Sequence, residues 1–554
     1  MSNRIYNILF HTHTVSGLLI SVGLYVIFFA GSFAFFKDEI ISWERNEPIQ
    51  EADFGSMDID AMITSLDQKY DTYGRDISFH KYDEAKRISV NISASKDTTT
   101  TEEAKGRRGD FFYINTDTHQ TYDYAGNYTI GEFLYRLHFL AQLNLYGRSG
   151  YLIAGIISFF FLFAIVTGVI VHWNKIISNF YVFRPKEKFK NIWTDAHTAL
   201  GIIGLPYQFV FAVTGVFFIV GATVMAPPVA SIMYDGDTEK MYDDFGYGNT
   251  EYPMAMLEKA SPTDINSFVE KAKSYWPEFN IRSIDLYNYG DANMHVGISG
   301  SPAFSAKFMG EGELVFNAST GEIVHEKNPF NNTSYADGAL GVITRLHFGD
   351  FGGRSLKVVY FILGIISCFV IITGILIWLV ARDKKHIAEK KRKFNAWVGW
   401  IFLAICLTMY PVTAFTFLGV KLTVTEFDAS RMTAIYHIFF YSWLALIVLF
   451  SIKRDNFFTN KYTLILGAIL GFLVPLANGF VSGNWIWKTF SKGYHDIFFI
   501  DVFWLTTSII TLIVALILKR RSPESANLVR GNKEKFRKSK KVTMSNYDVE
   551  GITQ

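Results

Sequence analysis

Eight stretches of roughly 20 apolar residues dominate this chain, at about 13–36, 150–173, 197–223, 355–380, 397–419, 432–452, 462–482 and 498–519. Each can cross a bilayer as a helix, the one single-segment structure that satisfies its own backbone polar groups in hydrocarbon. The fold class expected is therefore a polytopic α-helical membrane protein of about eight spans, with the lipid bilayer as its first partner. Half of the 554 residues are hydrophobic and the formal net charge is +2, so overall charge selects no partner and gives no ground for a nucleic-acid ligand.

Placement of charge is more telling than its sum. Lys and Arg near helix ends are retained on the cytoplasmic side. The segments after the second span ("NKIISNFYVFRPKEKFKN"), after the fourth ("ARDKKHIAEKKRK") and in the tail ("KRRSPESANLVRGNKEKFRKSKK") are all basic. They share one side if both termini are cytoplasmic, which leaves 37–149 and 224–354 outside. The expected division is a first span within 1–36, an outer domain at 37–149, a second span at 150–173 and a cytoplasmic loop at 174–196. A third span at 197–223, a second outer domain at 224–354, a fourth span at 355–380 and a loop at 381–396 follow, then four more spans over 397–519 and a basic tail at 520–554. No cleavage site follows a short apolar core near the start, so the first span is expected to be an anchor. Cys368 and Cys406 both fall in spans, which excludes a disulfide framework, a CxxC pair or an iron–sulfur ligand set.

The chain repeats itself. Arg136-Leu137-His138-Phe139 is followed by Gly147-Arg148-Ser149, a span and Thr167-Gly168; Arg345-Leu346-His347-Phe348 is followed by Gly353-Arg354-Ser355, a span and Thr373-Gly374. "HTVSGLLI" from His13 aligns with "HTALGIIG" from His197, which sets Gly31 opposite Gly215. Between the spans, "YINTDTHQTYDY" resembles "VFNASTGEIVHE", with His119 in the place of Gly321, a position suited to left-handed backbone. Helical spacing at 57–73 and 262–276, followed by alternating strands, makes each outer segment a small α+β domain. "DTTTTEEAKGRRGD" is polar and reads as a mobile loop. Two parallel repeats pack around an axis along the membrane normal, so matching residues lie at equal depth. The four spans from 397 onward lie outside the repeat.

That symmetry pairs His13 with His197 on the cytoplasmic side and His138 with His347 on the outer side. Singly, each is ordinarily a helix-start residue bonded to backbone or water; a symmetric set of intramembrane imidazoles is instead a functional hypothesis. Two imidazoles with no adjoining carboxylate or thiolate make a poor zinc site. Haem, which needs only two axial ligands from the protein, suits them better. His172, near the end of the second span, is an alternative inner ligand. Arg136, Arg148, Arg345 and Arg354 flank the outer pair and could hold haem propionates, an anionic substrate or lipid headgroups. Gly17, Gly31, Gly201 and Gly215 allow a flat ring or a neighbouring helix to approach.

These residues resemble the bacterial PepSY-associated transmembrane proteins, which include inner-membrane ferric-siderophore reductases. The resemblance covers roughly residues 1–380. It rests on His-x-x-x-Gly at His13 and His197, Leu-His before each returning span, the Thr-Gly endings, and Asn-x-x-Thr-Gly at Asn317 to Gly321. It implies two PepSY-like periplasmic domains and two b-type haems on His13, His138, His197 and His347. The implied activity is electron transfer across the inner membrane to a ferric siderophore or other iron chelate, a haem-dependent oxidoreductase reaction serving iron uptake. Some relatives carry a fused flavin reductase domain. This chain does not, so the implied donor is a separate cytoplasmic flavoprotein or a quinol. The rival expectation is a non-enzymatic PepSY membrane protein that binds peptide, envelope polymer or a transport partner. A transporter is a third, without acidic residues at mid-membrane in the duplicated spans to support it.

Overall fold

The computed structural model describes residues 2–49, 54, 57–81, 86–96, 109–173, 176, 180, 181, 184, 189–244, 251–259, 263–331, 335–384, 386–425 and 427–520. The basic tail beyond Arg520 and most of the polar loop at 97–110 lie outside the described residues. Eight helices long and apolar enough to cross a membrane occupy the eight expected segments, and the chain is a multi-pass membrane protein.

The first copy runs α1 (Asn3–Ala34), α2 (Lys37–Arg45), α3 (Ile59–Asp67), β1 (Ile77–His80), β2 (Arg87–Ile92), β3 (Asp110–Asn115), β4 (Thr121–Tyr122), α4 (Ile130–His138) and α5 (Ser149–His172). The second runs α6 (Phe189–Val216), a π-helical segment (Phe217–Met225), α7 (Ala226–Met233), α8 (Thr238–Asp244), α9 (Ile265–Tyr275), β5 (Phe279–Tyr287), β6 (His295–Pro302), β7 (Gly312–Asn317), β8 (Ile323–Lys327), α10 (Tyr335–Phe348) and α11 (Gly353–Arg382). The extension contributes α12 (Glu389–Thr423), α13 (Arg431–Lys453), α14 (Asn456–Ser482), α15 (Ile486–Ser491) and α16 (His495–Ile517).

Outside the bundle, the two predicted α+β pieces join into one antiparallel sheet of order β4-β3-β2-β1-β5-β6-β7-β8. The junction is β1 on β5, with Ile77 opposite Leu286 and Phe79 opposite Ile284. Left apart, each would be an edge strand with unpaired N–H and C=O groups; pairing them satisfies both rows. The junction is also the pseudo-two-fold axis, with four strands of each copy on either side. Helices α3 and α9 pack on one face and cap each other: Asp60 accepts from the backbone N–H of Ile265 and Asn266, and Asn266 accepts from that of Ile59. A single core beneath them combines Met62, Leu66 and Phe79 with Phe268, Ile284 and Val296.

The repeated turn survives in detail. Asn115 accepts from the N–H groups of Asp117 and Thr118, and Asn317 from those of Ser319 and Thr320. His119 at φ 55° does what Gly321 does at φ 72°. Cys368 and Cys406 are free and buried, as small apolar core residues.

The extension packs mainly against the first copy and also touches α11 of the second, where Phe361 meets Phe503 at 5.0 Å. Its Phe417, Phe439 and Trp504 share a core with Phe33, Phe36 and Trp43 of α1 and α2. Polar ties cross the same seam. Trp43 Nε1 donates to Asp501 at 2.7 Å, Lys421 Nζ donates to the carbonyl of Trp43 and to Asn46 Oδ1 at 2.7 Å each, and Arg431 pairs with Glu44.

Candidate functional site

Two histidine pairs stand where the repeat predicts, at opposite ends of the four duplicated spans. His13 of α1 faces His197 of α6, with ring centroids 6.3 Å apart, on the side away from the sheet. His138, closing α4, faces His347 of α10 at 6.0 Å on the sheet side. All four rings are partly buried.

Hydrogen bonds fix how each ring presents itself. His13 Nδ1 lies 2.8 Å from the carbonyl of Ala164, His138 Nδ1 2.8 Å from that of Ile27, and His197 Nδ1 2.9 Å from that of Val370. A carbonyl only accepts, so these Nδ1 atoms carry the proton and donate, which leaves the Nε2 lone pair on the far side of the ring. His347 Nδ1 meets Thr214 Oγ1 at 2.7 Å, and that hydroxyl lies 3.3 Å from the carbonyl of Phe211, to which it donates; His347 is thereby given the same tautomer. Locking Nδ1 so that Nε2 is available is how proteins prepare imidazole as a metal ligand.

Glycines give the rings room. A Cβ on Gly168 would come within 3.0 Å of the His13 ring, one on Gly374 within 3.3 Å of the His197 ring, and one on Gly31 within 2.5 Å of His138 Nδ1. The Thr-Gly endings of the returning spans are thus the seats of the far-side histidines. Gly215 serves packing instead, its Cβ position lying 2.7 Å from Ser158 Oγ. Gly17 and Gly201 face open space. His172 ends α5 half-buried, close enough to His197 to act on it electrostatically.

The four arginines divide. Arg136 and Arg345, each two residues before its histidine, line a cavity of about 2010 Å³ above the sheet-side pair. Its floor holds His138, His347, Tyr207 and Phe211, and its roof is the helix-free face of the sheet, with Tyr113, Arg282, Ser299 and Glu313. Arg136 bonds Glu132 at 2.7 Å, and Arg345 bonds Asp350 at 2.5 Å and Ser301 at 3.3 Å. Neither of the other two lines the cavity. Arg148 is exposed at the start of α5, and Arg354 turns to Asp496 of the extension and lies 3.8 Å from Glu39.

Burial alone would push the Glu132 carboxyl up, but Lys37 at 3.0 Å and Arg136 outweigh it and hold it below its ordinary value. Glu313 in the roof is pushed up by burial, only partly offset by His325 at 3.9 Å. Sequence reasoning passed over Thr214, Glu132, Lys37 and Glu313. Thr214 alone left a signal, since it forms with Gly215 a third Thr-Gly pair within the duplicated spans.

The residues present suit haem. An iron bonded to two imidazoles at roughly 2 Å places their ring centres roughly 6 Å apart, as both pairs are. Among the described residues there is no cluster of three or more His, Cys, Asp or Glu to hold a bare metal ion.

No curated protein matches the chain. The model of the PepSY-associated TM region matches residues 10–381, which take in both copies and both histidine pairs and stop before the extension. Over its duplicated part, then, this chain belongs to the PepSY-associated transmembrane family.

Proposed function

We propose that the protein is a transmembrane electron-transfer oxidoreductase. It binds two b-type haems, one between each histidine pair, and reduces a ferric siderophore or other iron chelate in the sheet-side cavity. The sheet faces the periplasm of a bacterial inner membrane and both termini lie in the cytoplasm, where a flavoprotein or membrane quinol donates. The observation that carries this reading is the matched pair geometry: four imidazoles at 6.0 and 6.3 Å, every one bonded through Nδ1.

Haem at each pair supplies one-electron redox chemistry when bound. The chain's own residues do the rest. His13 and His197 hold the far-side group, while His138 and His347 hold the sheet-side one beneath the cavity floor. Two histidines at each site would reserve a bound haem for electron transfer rather than oxygen binding. Arg136 and Arg345 present guanidinium groups to propionates or to an anionic chelate, and their partners Glu132 and Asp350 hold them in place. Phe28, Phe211 and Tyr207 give the floor an apolar and aromatic lining beside the rings.

The test is vectorial. Purified protein in sealed vesicles, with a reductant trapped on the far side, is offered an impermeant ferric chelate on the sheet side. Ferrous iron appearing outside, and lost in His138→Ala and His347→Ala, supports the reading. A wild-type protein that carries no haem and reduces nothing removes it in favour of a purely binding role.

A further inference from the structure

The extension lies outside the family match, yet it reaches the helix that carries a sheet-side ligand. Arg431, at the start of α13, is 1% exposed. Its Nε donates to the carbonyl of Tyr128 at 2.8 Å, its Nη1 to that of Val424 at 2.7 Å, and its Nη2 to Glu44 Oε1 of α2. The other Glu44 oxygen, Oε2, accepts from the backbone N–H of Ile130 at 2.6 Å. Ile130 is the first residue of α4 and His138 is the last. One buried ion pair thus holds both the residue before the α4 N-cap and the first N–H of the helix.

Packing reinforces the hold. Phe133 of α4 meets Phe439 of α13 at 4.8 Å and Tyr436 at 5.5 Å, and Tyr128 meets Tyr436 at 5.8 Å. On the opposite face Gly131 sits so close to α2 that a Cβ would lie 2.8 Å from the carbonyl of Lys37. With α4 held between α2 and α13, movement at its start is carried along a nine-residue rigid helix to the imidazole at its end. The ligand on the other copy is held differently. Arg345 ties α10 to Ser301 in the sheet and to Asp350, and its guanidinium sits 4.3 Å over the Phe304 ring.

We propose that the C-terminal extension is a brace for the sheet-side site, in which Arg431, acting through Glu44, is a positioning residue for His138. The extension thereby sets the properties of one of the two redox centres and leaves the other alone. This rests on the two-haem reading for its redox consequence, but not for its structural one.

The experiment uses the full chain with Arg431→Met, Arg431→Lys and Glu44→Gln, the last keeping side-chain shape if the first fails to fold. Two readouts are taken: amide hydrogen exchange of the α4 and α10 peptides, and the low-spin electron paramagnetic resonance signals with the midpoint potential of each centre. Arg431→Met is expected to speed α4 exchange roughly tenfold with α10 unchanged, and to shift or broaden the sheet-side signal alone. Arg431→Lys, which cannot reach all three acceptors, is expected to fall between. Wild-type α4 exchange with wild-type signals in a folded variant overturns the proposal, as does an equal change in both centres. If the wild-type chain carries no haem, the functional reading falls and the exchange comparison alone decides the brace: faster α4 exchange supports it, and unchanged exchange overturns it.

Discussion

The two copies of the repeat share a plan and differ in their surroundings. In the most apolar stretch of the first span, 67% of residues are buried; in its counterpart in the second copy the share is 33%. Past the membrane, the first copy turns into α2, whose Trp43, Glu44 and Arg45 are buried against or beside the extension. The second copy runs on as a π-helical segment and α7, where Met225, Ile232 and Met233 are exposed. Yet the histidine pairs keep almost the same spacing at both ends. The pairing itself is therefore set by contacts inside the repeat, while the extension bears more heavily on the first copy, through Trp43 and Glu44, than on the second, where Arg354 meets Asp496.

That comparison can be broken at several points. The largest effect is expected at the seam. Glu44→Ala strands the Arg431 guanidinium in the interior and is expected to cost about 3–5 kcal/mol in a denaturation series, whereas Ile232→Asn in α7 of the other copy should stay within about 0.5 kcal/mol. Equal losses would mean that the second copy is held as tightly as the first.

Next come the ring seats. Gly31→Ala drives a methyl group into His138 and should remove sheet-side haem, halving the pigment per chain. Gly215→Ala meets the movable Ser158 hydroxyl and should leave haem content unchanged, at a cost of about 1 kcal/mol. The hydrogen-bond partners sharpen the point further. Thr214→Val removes the acceptor that His347 Nδ1 uses and should weaken sheet-side haem affinity about tenfold. Thr373→Val should do less, because His197 keeps the Val370 carbonyl at 2.9 Å and loses only a hydroxyl at 3.2 Å. Smallest is the repeated turn: His119→Gly relieves left-handed strain that Gly321 never bears and should stabilise the sheet by up to about 1 kcal/mol.

Much of this was legible because the duplication wrote it twice. The eight spans followed from apolar length, and the pairing of His13 with His197 and His138 with His347 from equal offsets around a parallel-repeat axis. The left-handed turn at His119 followed from its alignment with a glycine. The fused sheet was not legible, because strand pattern reports which face is buried and not which edge finds a partner. The division of the arginines was hidden for a similar reason. Arg136 and Arg345 ride helices that end at the cavity, while Arg148 and Arg354 start the next spans, and only the packing of the extension draws Arg354 to Asp496. Glu44 and Arg431 carry no motif at all, being 387 residues apart and joined only by the fold.

The central claim, that imidazoles from the two copies meet in pairs to hold haem, is tested most directly by the absorption spectrum and haem content of the purified chain, oxidised and then reduced with dithionite. The expected result is two b-type haems per chain with low-spin bis-histidine bands, falling to one in His138→Ala and to a different one in His197→Ala. A chain purified from haem-replete cells with no Soret band, or one whose haem survives both substitutions, would contradict it.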